Sequence, residues 1–311
     1  MILSSGPSSY EKGIKMKILK GIMPPIATPF ENDEIAINKL ENNFSKWNKT
    51  GLSGYVVMGS NGESVFLQRD EKLRLIEAVK NNITDDKLLI AGAGSDSIKE
   101  TVSLSNDCAD RGADFALILT PSFYKSEMKP GAYIKYFTAV ADKTKIPVII
   151  YNVPKFTGVD IEAETVAQLA AHENIAGIKN STENLRQTAE LVAMTPADFA
   201  TITGTGSVLY TSLTVGAIGG ILALANIAPD ECVLIQNLVE DGKHGEALEI
   251  QRRLLPVNKA ITAKYGVAGL KAAMDMLGYY GGEPRSPLSA LGDSEKKLLR
   301  QILASSKLLN E

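Results

Sequence analysis

A lysine and a tyrosine each close an apolar run of the kind that forms buried strands. Lys179 ends the run IAGIK, and Tyr151 ends PVIIY earlier in the chain. Burial at a strand end favours the uncharged amine of a lysine, which is the form that attacks a ketone to give a Schiff base. A phenol beside that imine can move the protons that carbinolamine dehydration and aldol cleavage require. The alternatives are a lysine that extends to solvent and a tyrosine that only anchors the core by its hydroxyl.

A turn flanked by glycines, GSNGE at Gly59–Glu63, follows another apolar run. Its glycines allow backbone N–H groups to turn towards a small anion, and the side chains of Ser60 and Asn61 add hydrogen-bond donors. The carboxylate of a keto acid fits such a turn. Phosphate is a competing ligand, but the lysine that follows the second glycine of a P-loop is missing. An ordinary strand-to-helix turn stays open as well.

The composition excludes several classes of protein. The 311 residues carry 33 Lys and Arg against 36 Asp and Glu, a net charge of -3, which leaves no surplus of positive charge for nucleic-acid phosphates. Two histidines and two separated cysteines, Cys108 and Cys232, argue against a His-rich metal site and against a disulfide framework. The chain has no run typical of a signal peptide or a membrane span, so we expect a cytoplasmic protein that contacts neither membrane nor nucleic acid.

Eight short apolar runs alternate with longer amphipathic segments. Several runs consist almost entirely of Val, Ile, Leu and Ala, as in parallel strands that are buried on both faces. Their starts lie roughly 20 to 35 residues apart, the size of one strand–helix unit. The predicted strands begin at Gly21, Gly54, Lys87, Phe115, Pro147, Ile175, Phe199 and Ala217. Eight units, with no GxGxxG in the first, favour an α/β fold of the (β/α)8 TIM-barrel type over an open doubly wound sheet.

Helical periodicity fills the segments between the runs. Apolar residues at three- or four-residue spacing predict a helix over Gln68–Ile83. Beyond Ala228 the whole pattern is helical, with predicted helices at Pro229–Asp241, Gly245–Lys264, Val267–Leu277 and Ser294–Leu309. We therefore predict a flexible leader at 1–16, the barrel at 17–242 and a C-terminal helical appendix packed on it at 243–311.

The barrel would bring the polar residues together, because its catalytic groups lie at the carboxyl ends of the strands and in the loops that follow. Side chains alternate along a strand, so Tyr151 and Lys179 would both face inward and meet at the mouth. The loops Thr120–Tyr124 and Gly204–Gly206 close two further strands and would converge there with Gly59–Glu63.

Three motifs in this order resemble the pyruvate-dependent class I aldolase family: GSNGE, YNVP at Tyr151–Pro154 and GIK at Gly177–Lys179. That family includes N-acetylneuraminate lyase, dihydrodipicolinate synthase and 4-hydroxy-2-oxoglutarate aldolase. The resemblance runs from about Gly21 to the C-terminal helices. It implies a homotetramer of TIM barrels that forms a lysine Schiff base with pyruvate and uses no metal or organic cofactor. The partners it implies are small 2-keto acids and aldehydes.

The resemblance also implies a role for individual positions. Lys179 would be the Schiff-base lysine, Tyr151 the acid–base group and Ser60 the hydroxyl of a proton relay. Tyr124 would be the relay tyrosine that a neighbouring subunit supplies in this family, with Phe123 as the alternative. The remaining positions would bind substrate: Gly59, Asn61, Phe156, Ser181, and the backbone carbonyls of Gly204 and Ile221.

One position bears on which member of the family this is. Synthases carry an arginine two residues after the YNVP proline, which holds the carboxylate of aspartate semialdehyde. Here Phe156 stands in that place, and Lys155 beside it is expected to point elsewhere. GSNGE in place of GTTGE, and the stretch that begins KYGVAGLK, resemble the hydroxyoxoglutarate aldolases. We therefore expect cleavage of 4-hydroxy-2-oxoglutarate to pyruvate and glyoxylate. The alternatives are dihydrodipicolinate synthase, a dehydratase of 2-keto-3-deoxy sugar acids, and a non-catalytic barrel that binds a keto acid.

Overall fold

Eight parallel strands form the centre of the molecule in a computed structural model that describes residues 17–309. They are β1 Gly21–Met23, β2 Gly54–Val57, β3 Leu88–Gly92, β4 Phe115–Leu119, β5 Val148–Asn152, β6 Ile175–Asn180, β7 Ala200–Thr203 and β8 Gly219–Ile221. From β2 to β8 each strand pairs with the next, and β8 pairs with β1. A parallel bridge from Pro25 to Val56 links β1 to β2. The predicted (β/α)8 barrel is therefore confirmed.

Helices surround this barrel and extend it at the C-terminus. They are α1 Ile37–Trp47, α2 Arg69–Asn82, α3 Ile98–Ala109, α4 Pro130–Ala141, α5 Pro154–Thr157, α6 Ala163–Leu169, α7 Leu185–Met194, α8 Leu209–Thr214, α9 Pro229–Glu240, α10 His244–Lys259, α11 Gly266–Met276 and α12 Asp293–Ser305. A π-helical turn, Ala260–Lys264, joins α10 to α11. The predicted helices at 68–83 and beyond residue 228 thus lie close to their expected places.

Local sequence signals set where several of these helices begin. The backbone N–H of Gln68 donates to Glu71 Oε2 at 2.8 Å, which satisfies a free donor at the start of α2. The hydroxyl of Ser97 caps α3 by accepting from the N–H of Glu100 at 3.3 Å. Proline occupies the first turn of α4, α5 and α9, where its missing N–H costs no hydrogen bond. These starts fix the lengths of the loops that follow the strands.

The apolar core has two parts. One lies inside the barrel and includes Val56, Ile90, Leu117, Ile149 and Ile202. The other, larger part lies between the strands and the helices, where alternate strand residues meet the buried helix faces. The interior of the barrel is therefore filled by side chains.

A β-bulge lies between β5 and β6. Val148 pairs with Ile175, whereas the next residue, Ile149, pairs with Gly177, so Ala176 is an extra residue in β6. Beyond the bulge the register places Tyr151 directly opposite Lys179. Regular pairing from Val148 onward would have placed Ile178 opposite Tyr151 and turned Lys179 to the outer face of the barrel.

The predicted division of the chain into a leader, a barrel and a C-terminal appendix stays a prediction. The leader at 1–16 lies outside the described residues, and the boundary at residue 242 stays a prediction, although α9 ends at Glu240 and α10 begins at His244. Within residues 17–309 no helix is both long and apolar enough to cross a membrane. Over the same range no group of three or more His, Cys, Asp or Glu is arranged to hold a metal ion.

Candidate active site

Lys179 and Tyr151 lie side by side at the carboxyl ends of β6 and β5. Both are buried, with 2% and 6% of their surfaces exposed. The Lys179 Nζ lies 4.1 Å from the centroid of the Tyr151 ring. Tyr151 belongs to the core inside the barrel, so the inward orientation predicted from strand alternation is confirmed for it. An amine in this position can form an imine, with a phenol within reach to exchange protons.

The turn at Gly59–Glu63 brings a hydroxyl to the same phenol. Residues Ser60–Gly62 form a short 3-10 helix, which aims Ser60 across the mouth of the barrel. The distance from Ser60 Oγ to the Tyr151 hydroxyl is 3.0 Å. Met58 and Glu63, on either side of the turn, adopt left-handed φ angles of 61° and 55°, which are unfavourable for residues with a Cβ. The surrounding structure must therefore hold this turn in place.

A cavity of about 520 Å³ opens above these groups. Its wall combines the turn after β2, the ends of β3 to β5, and residues from the C-terminal helices. Ser60 and Tyr151 line it at the barrel end, while the opposite wall is formed by Tyr265, Gly266, Val267, Ala268, Leu288 and Ser289. The amine of Lys179 lies next to the cavity, against the Tyr151 ring. The space is large enough for two small substrates side by side.

Lys155 and Phe156 lie at the outer part of the cavity, and the expectation that Lys155 points elsewhere is wrong. Both residues line the cavity. The reason is the short helix α5, Pro154–Thr157: successive helical side chains are only about 100° apart, whereas those of a strand point to opposite faces. Lys155 Nζ donates to the carbonyl of Thr262 in the π-helical turn at 2.9 Å. Phe156 is 63% exposed.

The other predicted substrate-binding residues lie around this centre in different ways. Gly59 lines the cavity, whereas Asn61 is half-buried in the same turn and is not part of the wall. Ser181 and Gly204 contact each other so closely that a Cβ on Gly204 would lie 1.8 Å from Ser181 Oγ. Ile221 is fully buried inside the barrel and pairs with Met23. Their roles in binding stay predictions.

Tyr124 does not line the cavity of its own chain. It is 71% exposed and Phe123 is 79% exposed, and their ring centroids are 5.1 Å apart. Asp96 fixes this loop, because its Oδ1 accepts from the backbone N–H groups of Ser122 and Phe123 at 2.6 and 3.0 Å. Both aromatic rings are therefore presented on the outside of the protomer.

Sequence reasoning missed a buried ionic network beside the cavity. Glu63 Oε1 lies 2.6 Å from Lys271 Nζ, and both side chains are almost completely buried. Burial lowers the pKa of Lys271, while the Glu63 carboxylate opposes that shift. Nearby, Arg285 donates to both carboxylate oxygens of Glu71, at 2.9 and 2.7 Å, and holds the pKa of that carboxyl below its usual range. The glutamate of GSNGE and the lysine of GVAGLK were the signals available in the sequence.

An amine able to form an imine, with a phenol and a hydroxyl placed to move its protons, defines a class I aldolase. A family model agrees with this class. The model of the dihydrodipicolinate synthetase family matches residues 18–306, and the chain belongs to that family. It is a lyase that forms a Schiff base between a lysine and pyruvate, and Lys179 is the residue whose place fits that role.

Individual relatives cover nearly the whole chain. The 4-hydroxy-tetrahydrodipicolinate synthase of Methanocaldococcus jannaschii is 34% identical over 293 residues, 94% of this chain and 100% of the relative. A probable mitochondrial 4-hydroxy-2-oxoglutarate aldolase of Emericella nidulans is 32% identical over 289 residues, 91% and 93% of the two chains.

Solved structures agree in fold. A dihydrodipicolinate synthase crystal structure, 34% identical, matches with a TM-score of 0.88 over 94% of this chain and all of its own. A variant described as the first monomeric dihydrodipicolinate synthase, 27% identical, reaches a TM-score of 0.91 over 96% of this chain and all of its own.

Proposed function

We propose that this enzyme joins pyruvate to an aldehyde that carries its own carboxylate, with aspartate semialdehyde as the first candidate. That reaction is the one named for the synthase relatives, and it was the alternative in the sequence analysis. The observation that carries the proposal is Lys155 in the cavity wall. The argument against a synthase was that Phe156 stands in place of an arginine and leaves no cation for the carboxylate of the aldehyde. Because Lys155 supplies a cation in the same cavity wall, the synthase reaction becomes the first candidate and the aldolase reaction the second.

The buried residues account for the pyruvate half of the reaction. The Lys179 amine adds to the pyruvate carbonyl carbon, the carbinolamine loses water, and the imine loses a methyl proton to become an enamine. The enamine carbon then forms a bond to the aldehyde carbon, and water hydrolyses the new imine and frees Lys179. Tyr151 and Ser60, whose oxygens are 3.0 Å apart, pass the protons that each of these steps takes up or releases.

Lys155 accounts for the aldehyde half. Its ammonium group has three donors, and one of them is used by the Thr262 carbonyl. Two donors are left for a carboxylate at the outer end of the cavity. An ammonium forms a charge-assisted contact without the fixed two-pronged geometry of an arginine, so it can hold carboxylates on aldehydes of different length.

A second candidate is cleavage of 4-hydroxy-2-oxoglutarate to pyruvate and glyoxylate. It is supported by Phe156, which occupies the place of the synthase arginine and lines the cavity, and by the aldolase relative from Emericella nidulans. Glyoxylate also carries a carboxylate next to its aldehyde, so Lys155 could hold it in the same way. The two candidates therefore differ in the length of the aldehyde and share the pyruvate chemistry.

Two assays on the purified enzyme separate these candidates. Aspartate semialdehyde with pyruvate is followed through a coupled reductase that consumes NADPH, and 4-hydroxy-2-oxoglutarate is followed through lactate dehydrogenase as pyruvate is released. We expect the larger kcat/KM with aspartate semialdehyde. A larger value with 4-hydroxy-2-oxoglutarate would replace the first candidate by the second. Trapping of pyruvate on Lys179 by borohydride without turnover of either substrate would reject both.

We also propose that the working form is a cytoplasmic homotetramer that needs no metal or organic cofactor. The association of several chains is supported by the exposed pair Phe123 and Tyr124, because two large aromatic rings on a surface favour burial against another protein. Native mass spectrometry should give four chains per particle, and dialysis against EDTA should leave the activity unchanged. A monomeric particle with full activity would contradict the role of Tyr124 as a group supplied by a neighbour.

A further inference from the structure

The turn that carries Ser60 depends on one carboxylate. Glu63 ends the turn with its backbone in the left-handed region, and its side chain is buried. One carboxylate oxygen, Oε2, accepts from the backbone N–H of Arg285 at 2.8 Å, and the other lies 2.6 Å from Lys271 Nζ. A residue with a Cβ keeps this backbone conformation only where the surroundings fix it. The contacts of Glu63 to two C-terminal residues supply that constraint.

The ammonium group of Lys271 has further contacts besides Glu63. It is fully buried in α11, and its Nζ also donates to the carbonyl of Glu283 at 2.9 Å and lies 4.5 Å from the ring centroid of Phe30. It does not line the active-site cavity, whereas Glu63 does. A buried ammonium of this kind has a single fixed position, because an unpaired charge in the interior is strongly unfavourable.

Hydrogen bonds within the turn couple the position of Glu63 to that of Ser60. The N–H of Glu63 donates to the carbonyl of Ser60 at 3.3 Å, and Thr28 Oγ1 donates to the carbonyl of Gly62 at 2.7 Å. Only two residues, Asn61 and Gly62, therefore separate Glu63 of the buried ion pair from Ser60, whose hydroxyl contacts Tyr151. A shift of Glu63 would move Ser60 Oγ away from the phenol.

We propose that Lys271 is a positioning residue for the Schiff-base reaction: through its ion pair with Glu63 it holds Ser60 at hydrogen-bonding distance from Tyr151. Lys271 acts through Glu63 and does not touch the substrate. This role depends only on the pyruvate chemistry and is independent of which aldehyde the enzyme uses.

The decisive variant removes both charges, E63Q/K271M, because it leaves no unpaired charge in the interior. Deuterium exchange at the methyl group of pyruvate in D2O, followed by NMR, reports proton transfer on the imine without any aldehyde. Borohydride trapping with pyruvate, followed by mass spectrometry, counts the chains that form the imine at Lys179. K17M is the matched control, since Lys17 pairs with Asp114 at 3.1 Å at the amino ends of the strands, away from the site.

We expect E63Q/K271M to trap pyruvate on every folded chain while its exchange rate per trapped chain falls about 100-fold, the cost of a small misplacement of a catalytic group. E63Q alone should show the same pattern, and K17M should exchange at the parent rate. An exchange rate per trapped chain equal to that of the parent in the double variant would overturn the proposal and reduce the ion pair to a contribution to folding. A folded double variant that cannot be trapped at all would also overturn it, because a small shift of Ser60 slows imine formation but does not abolish it.

Discussion

The two ends of the active-site cavity are built in different ways. At the imine end, Lys179 and Tyr151 come from adjacent strands, are buried, and are fixed by strand register and by the hydroxyl of Ser60. At the end that we propose for the aldehyde, called the aldehyde end below, Lys155 and Phe156 lie in a helix of four residues, and Phe156 is largely exposed.

The difference separates chemistry from specificity. A side chain on a barrel strand cannot move without disturbing its neighbours, whereas a loop residue can change with little effect on the fold. The imine end supplies what the whole family shares, the reaction of a lysine with pyruvate. We propose that the aldehyde end supplies what distinguishes its members. A synthase and an aldolase of this family can therefore be similarly close to this chain.

The largest effect is expected at the imine end from K179A. Without the amine no covalent intermediate forms, and activity should fall by roughly 10⁴- to 10⁶-fold, as for removal of other catalytic nucleophiles. Borohydride should no longer attach pyruvate to the protein. K155M, which removes the lysine at the other end of the cavity, is the control and should still be trapped; an adduct on any other lysine in K179A would contradict the assignment.

A smaller loss is expected from Y151F, which removes one hydroxyl and keeps the ring against Lys179. Loss of a positioned acid–base group should lower kcat by about 10²- to 10⁴-fold. The midpoint of thermal unfolding should change little, because the hydroxyl contacts only Ser60 among the described residues. S60A should show a loss in the same direction but smaller. Equal rates in Y151F and the parent would exclude the phenol from the relay.

At the aldehyde end, K155M should raise KM for the aldehyde and leave pyruvate trapping intact. Loss of a charge-assisted contact predicts a rise of about 10- to 100-fold. Steady-state kinetics with each substrate varied in turn measure this. K264M is a matched control, because the amine of Lys264 lies against the Tyr265 ring and outside the cavity wall. A higher KM for pyruvate with an unchanged KM for the aldehyde would contradict the prediction, because Lys155 would then bind pyruvate and not the aldehyde.

The smallest effect is expected from F156A. Because the ring is 63% exposed, the free energy of unfolding should change by no more than about 0.5 kcal/mol. Removing the ring widens the outer cavity, so the ratio of kcat/KM for aspartate semialdehyde to that for glyoxylate should rise. Competition between the two aldehydes measures this ratio directly. A fall in the ratio would show that the ring contacts the longer substrate favourably.

The same division explains how much could be predicted from the sequence. The eight strands and the inward orientation of Tyr151 follow from apolar runs and from the alternation of side chains, which are local properties. The pairing of Lys179 with Tyr151 also depends on the bulge at Ala176, which neither property indicates. The orientation of Lys155 could not be predicted, because strand-like alternation does not apply in the short helix α5. Residues such as Tyr265 and Lys271 reach the site from far along the chain, and no local pattern indicates which part of the cavity a distant helix will cover.

The bulge at Ala176 affects how the chain tolerates insertions and deletions. If Ala176 were deleted, Ile175 to Lys179 would pair regularly with Val148 to Tyr151, and the amine would still face the phenol. If Ile178 were deleted instead, Lys179 would move by one place and turn towards the helices, since a shift of one residue exchanges the two faces of a strand. The strand that carries Lys179 can therefore lose the bulge residue and keep its chemistry, whereas the loss of a residue between the bulge and Lys179 ends the activity.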